Sequence, residues 1–482
     1  MIQLHKPLAA YAGFNTVPSS EGIAASAITF DSREAAPGVV FVALPSVSGG
    51  EQEYINRALA AGVEHVFYDH KRLLACDTRC TAIDMMAVAG TFLADYYGVN
   101  TRDMSLLGVT GTNGKSSTTF YIAQLLSALG KPCAVMGTLG YGRPGALREP
   151  GMTTLPLPRL HKAIADLYDE GFRAIAMEVS SHGLDQQRLA GVPLSQAVLT
   201  NLTRDHLDYH GDMQSYQAAK QRLFDRPEVK NLVVNGDDAF GQSIARHATK
   251  TCLQYGKTNA GLAYELLDHL PVGMLAAFSF GGQRIEVQTH LYGEFNLQNI
   301  AAAVGVCLAE GYTFADIMAH VGALQAVPGR MQAVGGGDKP VVIVDYAHTP
   351  DALEKVLLSL REHHPRQLHV VVGCGGDRDK GKRPLMGQIA AEYADTCLFT
   401  SDNPRSEDPL AILADMRQGV ECNHVRTEPD RARAIALAIG AAQAGDIVLV
   451  AGKGHEDYQE IQGVKLAFSD LETAISLLGV TP

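Results

Sequence analysis

The stretch Gly108-Val-Thr-Gly-Thr-Asn-Gly-Lys-Ser116 limits this chain more than any other. It joins a short apolar run, Met104 to Val109, to an amphipathic run from about Ser116 to Leu129. In the second run Phe120, Ile122, Ala123, Leu125 and Leu126 make a broad apolar face, the mark of a helix. Strand, glycine turn and helix in that order form a loop whose backbone N–H groups close around phosphate oxygens, at the positive end of a helix dipole. Lys115 can reach the outer phosphates, and the Ser116 hydroxyl can ligate Mg²⁺. The bland alternative is a glycine-rich turn that binds nothing, and Gly-Lys-Ser in this context disfavours it. The loop is a variant. The common spacing puts a glycine at 109, where Val109 stands, and Gly108 comes one residue early.

The rest of the chain alternates strand and helix, which predicts mostly parallel sheets covered by helices. Before the loop, Val39 to Leu44 and His65 to Tyr68 read as strands and Glu53 to Ala61 as a helix. After it, Arg173 to Val179, Gln196 to Thr200 and Asn231 to Asn235 read as strands, and Ser215 to Phe224 as a helix. A glycine-rich segment from Pro328 to Asp338 precedes a new series. In that series Val341 to Asp345, Leu368 to Val372, Thr396 to Thr400 and Asp446 to Ala451 are strands, and Pro350 to His363 and Arg383 to Tyr393 are helices. The expectation is an α/β chain of three domains: 1–102, small and α/β; 103–333, a phosphate-loop domain on a parallel sheet; and 334–482, Rossmann-like.

The 482 residues are 46% hydrophobic and 19% charged, as in an ordinary globular protein. The formal charge of -12 argues against a nucleic-acid partner but leaves room for a phosphate ligand bound locally. No apolar run approaches the length of a membrane helix, and the N-terminus lacks a signal-peptide pattern. The eight cysteines are scattered without C-x-x-C pairs and read as free thiols in a reducing compartment, so the chain is expected in the cytoplasm.

Three further elements carry candidate chemistry. Met177-Glu178-Val179-Ser180-Ser181-His182 follows a buried strand, Thr200 to Asp208 with Asp205-His206 follows another, and Lys220 lies on a helix. Carboxyl ends of parallel strands are where ligands bind. Taken singly, the histidine reads as a loop residue and the lysine as solvated surface. In this order after G-x-T-G-T-N-G-K-S, they resemble the ATP and metal site of the Mur ligases and the related folylpolyglutamate synthetases. That resemblance implies ATP held by Gly111, Thr112, Asn113, Gly114, Lys115, Ser116 and Ser117. It also implies two Mg²⁺ ions, with Ser116, Glu178, His206 and Lys220 as ligands. Lys220 would serve as the carbamate formed with CO₂, which turns a cation into a hard oxygen ligand. Lys115, Glu178, His206 and Lys220 would then be the catalytic set for amide formation through an acyl phosphate. Asn296, Asn299, Arg330, Asp345 and His348 match family positions around ATP, although the two asparagines also suit helix caps.

The same resemblance implies a UDP-muramoyl site. Asp31-Ser32-Arg33 is similar to the family's nucleotide element, and Thr153, Thr154, Ser180, Gln186 and Arg188 match its other contacts. Ser46-Val47-Ser48 falls where the family also touches the nucleotide but departs in residue type. Asp402-Asn403-Pro404-Arg405, with Arg378, Gly452 and Glu456, resembles the members that add meso-diaminopimelate to UDP-N-acetylmuramoyl-L-alanyl-D-glutamate. In them Arg405 would take the distal carboxylate, Glu456 the distal ammonium and Arg378 another carboxylate. L-lysine would leave Arg405 buried and unpaired. The expected state is a monomer without a membrane or nucleic-acid partner. Rival readings are a lysine-adding relative, a folylpolyglutamate synthetase-like ligase, and a nucleotide-binding scaffold without catalysis.

Overall fold

A computed structural model of the chain describes residues 1–46, 49–72, 74–101, 103–148, 152–258 and 260–480. They form two compact units. The first comprises Met1–Lys115, Leu126–Val234 and Asp238–Cys252; the second comprises Ser116–Leu125, Asn235–Asp237 and Leu253–Pro482.

The first unit opens with a sheet in the order Ile2–Gln3, Ala27–Thr29, Val39–Ala43, His65–Asp69, Cys80–Ile83, parallel after its first pair. Strand Val39–Ala43 is buried on both faces, so every residue in it is apolar. Val40 and Val42 pack with Phe14, Phe67 and Phe92 on one side. Phe41 and Ala43 pack with Ile55, Ala58 and Val66 on the other. Next in this unit, Gln196–Leu199, Ser105–Thr110, Ala174–Glu178 and Cys133–Gly137 are parallel neighbours in that order. Their register sets Glu178 opposite Val109, and Leu199 opposite Thr110. The carboxyl ends of these strands therefore finish together, and the loops that leave them are brought to one edge.

The second unit contains an antiparallel meander, Leu262–His269, Met274–Phe280 and Gln283–Thr289, followed by helices Phe295–Ala309 and Phe314–Val321. Its other sheet runs in the order Gln332–Gly335, Val341–Asp345, Ile447–Ala451, Leu368–Val372, Thr396–Phe399, Val425–Thr427, parallel after the first pair. Val341 and Ile343 face a core completed by Leu353, Leu357, Met386 and Met416. Val342 and Val344 face a core with Ile435, Ala438, Ala474 and Leu478. Period-2 alternation between two apolar faces is what a sheet covered on both sides requires. Side-chain caps start the flanking helices: Thr349, Asp408, Asp430 and Ser469 each accept a backbone N–H two or three residues on.

The expected strands and helices are present with ends shifted by a residue or two, and the α/β class holds. The meander was not expected. Cys76 and Cys80 are joined as a disulfide, which departs from the expectation of eight free thiols, and their Cα atoms lie 5.9 Å apart. No helix among the described residues is long and apolar enough to cross a membrane.

Candidate functional site

Strand Ser105–Thr110 delivers the glycine loop, and the backbone there tolerates no side chain. Gly111 has φ 151°, and a Cβ on it would lie 1.8 Å from Thr200 Oγ1. The loop is laced to the next strand end. Thr112 N donates to Asn201 O at 2.9 Å, Asn113 N to Asn201 Oδ1 at 2.9 Å, and Thr200 Oγ1 to Asn113 O at 2.6 Å. Lys115 Nζ donates to Gly111 O and Thr112 O, both at 2.9 Å.

Lys220 comes to this loop from helix Met213–Phe224. It is 1% exposed, and its Nζ donates to Gly111 O at 2.9 Å, 4.7 Å from the centre of the Tyr216 ring. Burial, aided by the Lys115 charge and opposed by Asp205, pulls its amine down to about 6. The surface reading of this lysine is thereby excluded: the side chain is buried, and burial favours its neutral amine. His206 takes a left-handed turn, φ 52°, before helix Leu207–His210. Its ring lies 5.0 Å from His182 and 6.1 Å from Tyr216 between centres. Tyr216 therefore stands beside both His206 and Lys220, and its hydroxyl meets Thr112 Oγ1 at 3.2 Å.

Glu178 ends the neighbouring strand, buried. Thr138 grips its carboxylate at both oxygens, N–H to Oε1 and Oγ1 to Oε2, each at 3.1 Å. Gly137 must be glycine, because a Cβ there would sit 2.2 Å from Glu178 Oε1. Of the expected muramoyl contacts, Thr153, Thr154, Ser180, Gln186 and Arg188 form a linked network beside this strand end, and Ser32 lies elsewhere. Thr153 Oγ1 meets Thr138 Oγ1 at 3.0 Å. Thr154 Oγ1 donates to Glu178 O at 3.1 Å and meets Ser180 Oγ at 3.0 Å. Arg188 donates to Thr154 O at 2.6 Å and, through Nε and Nη2, to Gln186 Oε1 at 2.9 and 2.6 Å. Burial lowers the Arg188 guanidinium from its usual range. Among the described residues, no three His, Cys, Asp or Glu side chains converge as a metal cluster. Glu178 and Lys220 still suit a hard cation: one is a held carboxylate, the other a neutral amine able to become an oxygen donor.

Ser32 is buried in a short 3₁₀ turn capped by Asp31, whose carboxylate accepts from Arg33 N at 2.9 Å. The Arg33 side chain bonds to it too and holds that carboxyl at about 2. The turn lines a cavity of about 400 Å³ together with Phe41, Leu44, Tyr54 and Arg57. Of the neighbouring segment, Val47 and Ser48 lie outside the described residues.

In the second unit, Asn296 and Asn299 are buried inside helix Phe295–Ala309, so neither caps it. Asn296 Oδ1 accepts from Tyr121 OH at 3.0 Å, and Asn299 Oδ1 from Thr118 Oγ1 at 3.4 Å. They anchor the helix that follows the phosphate loop. Asp345 spends its carboxylate on Met331 N and Ala347 N, at 2.7 and 2.8 Å, and burial raises it. Arg330 lies over the Tyr346 ring at 4.9 Å, and exposed His348 bonds Tyr346 O through Nδ1 at 2.8 Å.

The loop Asp402–Arg405 leaves strand Thr396–Phe399 and docks on strand Tyr458–Ile461, which forms a hairpin with Val464–Ala467. Arg405 N donates to Glu460 O at 3.0 Å, and Gln459 Nε2 to Asp402 O at 2.7 Å. Asn403 Nδ2 donates to Glu456 Oε2 at 2.8 Å. Asp402 is buried beside Gly452, where a Cβ would lie 2.6 Å from its Oδ2, and burial raises its carboxyl. Pro404 O accepts from Glu407 N at 3.0 Å. Arg405 differs from expectation. Its side chain is 23% exposed, donates to Gly376 O at 2.7 Å and lies 3.5 Å from Glu460 Oε2, so it is neither fully buried nor unpaired. Arg378 stands exposed on the neighbouring loop. Thr138, Tyr216, Lys453 and Glu460 belong to these sites and escaped the sequence reading. Only the tertiary contact reveals them.

Comparison with known proteins agrees with this geometry. Residues 109–307 match the Mur ligase middle domain, and 329–454 match the Mur ligase glutamate ligase domain. The UDP-N-acetylmuramoyl-L-alanyl-D-glutamate–2,6-diaminopimelate ligase of Pseudomonas aeruginosa is 46% identical over 471 residues, 93% of each chain. A solved structure with the same name superposes with a TM-score of 0.73 at 38% identity, covering 94% of both chains. A folylpolyglutamate synthase of Mycobacterium tuberculosis shares the fold at 19% identity and a TM-score of 0.60, over 76% of this chain and 91% of its own. With its phosphate loop, its strand-end carboxylate and likeness of this extent, the chain belongs to the Mur ligase family.

Proposed function

We propose that this chain is the ATP-dependent ligase that joins meso-diaminopimelate to the D-glutamate of UDP-N-acetylmuramoyl-L-alanyl-D-glutamate, releasing ADP and phosphate. The observation that carries the amino-acid assignment is the opposed charge of Arg405 and Glu456, on loops bridged by Asn403 and Glu460. One end of a zwitterion, a carboxylate beside an ammonium, fits such a pair. The name of the 46%-identical relative supports the same assignment.

The reaction has two steps. The D-glutamate side-chain carboxylate attacks the γ-phosphorus of ATP, and ADP leaves. The amine of diaminopimelate attacks the acyl phosphate, loses a proton, and phosphate leaves. The first step brings two anions together, and the residues around the loop answer that. Gly111 to Ser117 cradle the phosphates, and Lys115 gives up its loop carbonyls for phosphate oxygens. Asn296, Asn299, Arg330, Asp345 and His348 frame the nucleotide, the buried asparagines and Asp345 by fixing the backbone around it. Glu178 would hold one Mg²⁺ and His206 a second, with Ser116 and a carbamate on Lys220 completing the set of oxygen ligands. These ions supply charge neutralisation at the transferring phosphoryl group. Thr138 keeps Glu178 aimed, and the lowered Lys220 amine is the nucleophilic form that CO₂ requires. Ser32, Thr153, Thr154, Ser180, Gln186 and Arg188 hold the muramoyl nucleotide. Arg378, Asp402, Asn403, Pro404, Arg405, Gly452 and Glu456 hold diaminopimelate.

We assign these tasks to divisions at 1–102, 103–333 and 334–482, in a monomer working in the cytoplasm. Because Glu460 stays near Arg405, L-lysine would not strand the guanidinium completely. Discrimination then falls below the ~10⁴ of a wholly orphaned donor set. The test is phosphate release from ATP with the UDP-muramoyl dipeptide, comparing meso-diaminopimelate with L-lysine and weighing the product. Release with diaminopimelate and a tripeptide mass is expected. Release with lysine alone would discard the assignment of Arg405, and release with neither would discard the ligase.

A further inference from the structure

The turn Gly452-Lys453-Gly454-His455-Glu456 leaves strand Ile447–Ala451, and its lysine is 0% exposed. Lysine is almost never fully buried unless paired. Lys453 Nζ donates to Asn403 Oδ1 and to Glu456 Oε2, each at 3.1 Å, and lies 5.4 Å from the centre of the Tyr458 ring. Asn403 closes a triangle. Its Nδ2 donates to the same Glu456 oxygen at 2.8 Å, while its Oδ1 also accepts from Glu460 N at 2.9 Å. Glu456 Oε2 thus holds two donors, and Oε1 has no hydrogen-bond partner among the described residues.

A partly buried glutamate ordinarily samples several rotamers, and ordering it when a ligand arrives weakens binding. We propose that Lys453 is a positioning residue for amino-acid recognition: it locks Glu456 and Asn403 into one frame, leaving Glu456 Oε1 as the acceptor for the distal ammonium of the diamino acid. The inference rests on the reading of this pocket given above. A second observation agrees with it. Burial raises the Asp402 carboxyl, neighbouring Glu456 adds to that rise, and Arg431 with Lys453 opposes it. Without Lys453 the two carboxylates face each other with less compensation, and Glu456 relaxes toward water. A substrate without a distal ammonium gains nothing from the frame, because Lys453 has its donors directed at Asn403 and Glu456.

The experiment uses the full chain and measures phosphate release while meso-diaminopimelate, ATP and the UDP-muramoyl dipeptide are varied in turn. Lys453→Met is expected to raise the KM for meso-diaminopimelate about 30-fold, the loss of one charge-assisted hydrogen bond. Its KM for ATP should stay within about twofold of wild type, as expected for a site with no shared partner. Glu456→Gln should raise the same constant. The double variant should exceed Glu456→Gln by no more than about twofold, since Lys453 acts through Glu456. If Lys453→Met does not fold, Lys453→Gln keeps a polar group in the buried position but not the ammonium that holds Glu456, and should give a selective rise of about tenfold. Equal rises in all three KM values, or effects of Lys453→Met and Glu456→Gln that multiply, overturn the inference while leaving the ligase intact. A wild type that releases no phosphate with meso-diaminopimelate overturns the ligase reading, and the inference with it.

Discussion

An ordinary lysine stays charged well above neutral pH, and burial works against that charge at Lys220. Its folded value is lowered from 10.5 to about 6, chiefly by burial. The sign of the consequence follows directly. Between those two values the unfolded chain binds the proton and the folded chain does not, so the unmodified lysine's contribution to stability rises with pH across that window. Below about 6 the amine is protonated and cannot react with CO₂. Ligation is therefore expected to fall as pH drops through that value, together with the carbamate carbon signal seen by NMR under ¹³C-bicarbonate. A carbamate signal that persists at pH 5 would contradict this. Lys220→Ala should lose ligation by a factor on the order of 10²–10³ with the fold retained; full activity would end the carbamate assignment. For Arg405→Ala the expected result is a KM for meso-diaminopimelate raised about 10- to 100-fold with that for ATP little changed. Equal effects on the two would remove its role in specificity. These residues could be picked from the sequence only because their motifs, taken in order, resemble those of the Mur ligases. Thr138, which grips Glu178 at 3.1 Å twice, could not, because a threonine forty positions away carries no mark of that contact.

Helix Arg431–Ala441 and helix Asp470–Leu478 meet through an ion pair with no exposure on either side. Arg431 bonds both Asp470 oxygens at 2.7 Å, and also the carbonyls of Ser401 and Ala451. Those carbonyls immediately precede Asp402 and Gly452, so the pair also suspends the loops proposed to take the amino acid. Removing one partner leaves the other charge buried alone. Arg431→Met should cost about 3–5 kcal/mol in urea unfolding. It should also raise the KM for diaminopimelate; a loss of stability without any change in that KM would separate the helix contact from the loops. At this scale the parallel strands were legible, since runs such as Val341–Asp345 are apolar on both faces. The meander was written less plainly. Gln283–Thr289 alternates exposed and partly buried residues, and Gly281-Gly282 marks the turn before it, but such alternation has little weight until a partner strand is known.

For the whole molecule, the family was legible because phosphate loop, carboxylate, histidine and lysine stand in the succession that the Mur ligases show, whereas the three divisions expected from the sequence differ from the two interleaved units of the fold. The pairing of Arg405 with Glu460 was not, because it depends on a hairpin folding back over the loop. A chain that makes its amide through an acyl phosphate must expose that intermediate to whichever amine is present. Hydroxylamine supplied in place of diaminopimelate, with ATP and the UDP-muramoyl dipeptide, should trap a hydroxamate. Its absence from a preparation active with diaminopimelate would exclude the two-step route.

Lys115 and Lys220 both donate to the single carbonyl of Gly111, each at 2.9 Å. One peptide oxygen is thus shared by the lysine proposed to meet phosphate and the lysine proposed to react with CO₂. When nucleotide draws Lys115 away, Lys220 loses the neighbouring cation that helps to discharge it; when Lys220 becomes an anion, Lys115 gains an attractive neighbour. Such coupling is reciprocal by thermodynamic necessity. Whatever factor dissolved CO₂ adds to the affinity for ATP, ATP must add to the affinity for CO₂, so the ligase would register the carbonation of its surroundings through its nucleotide site.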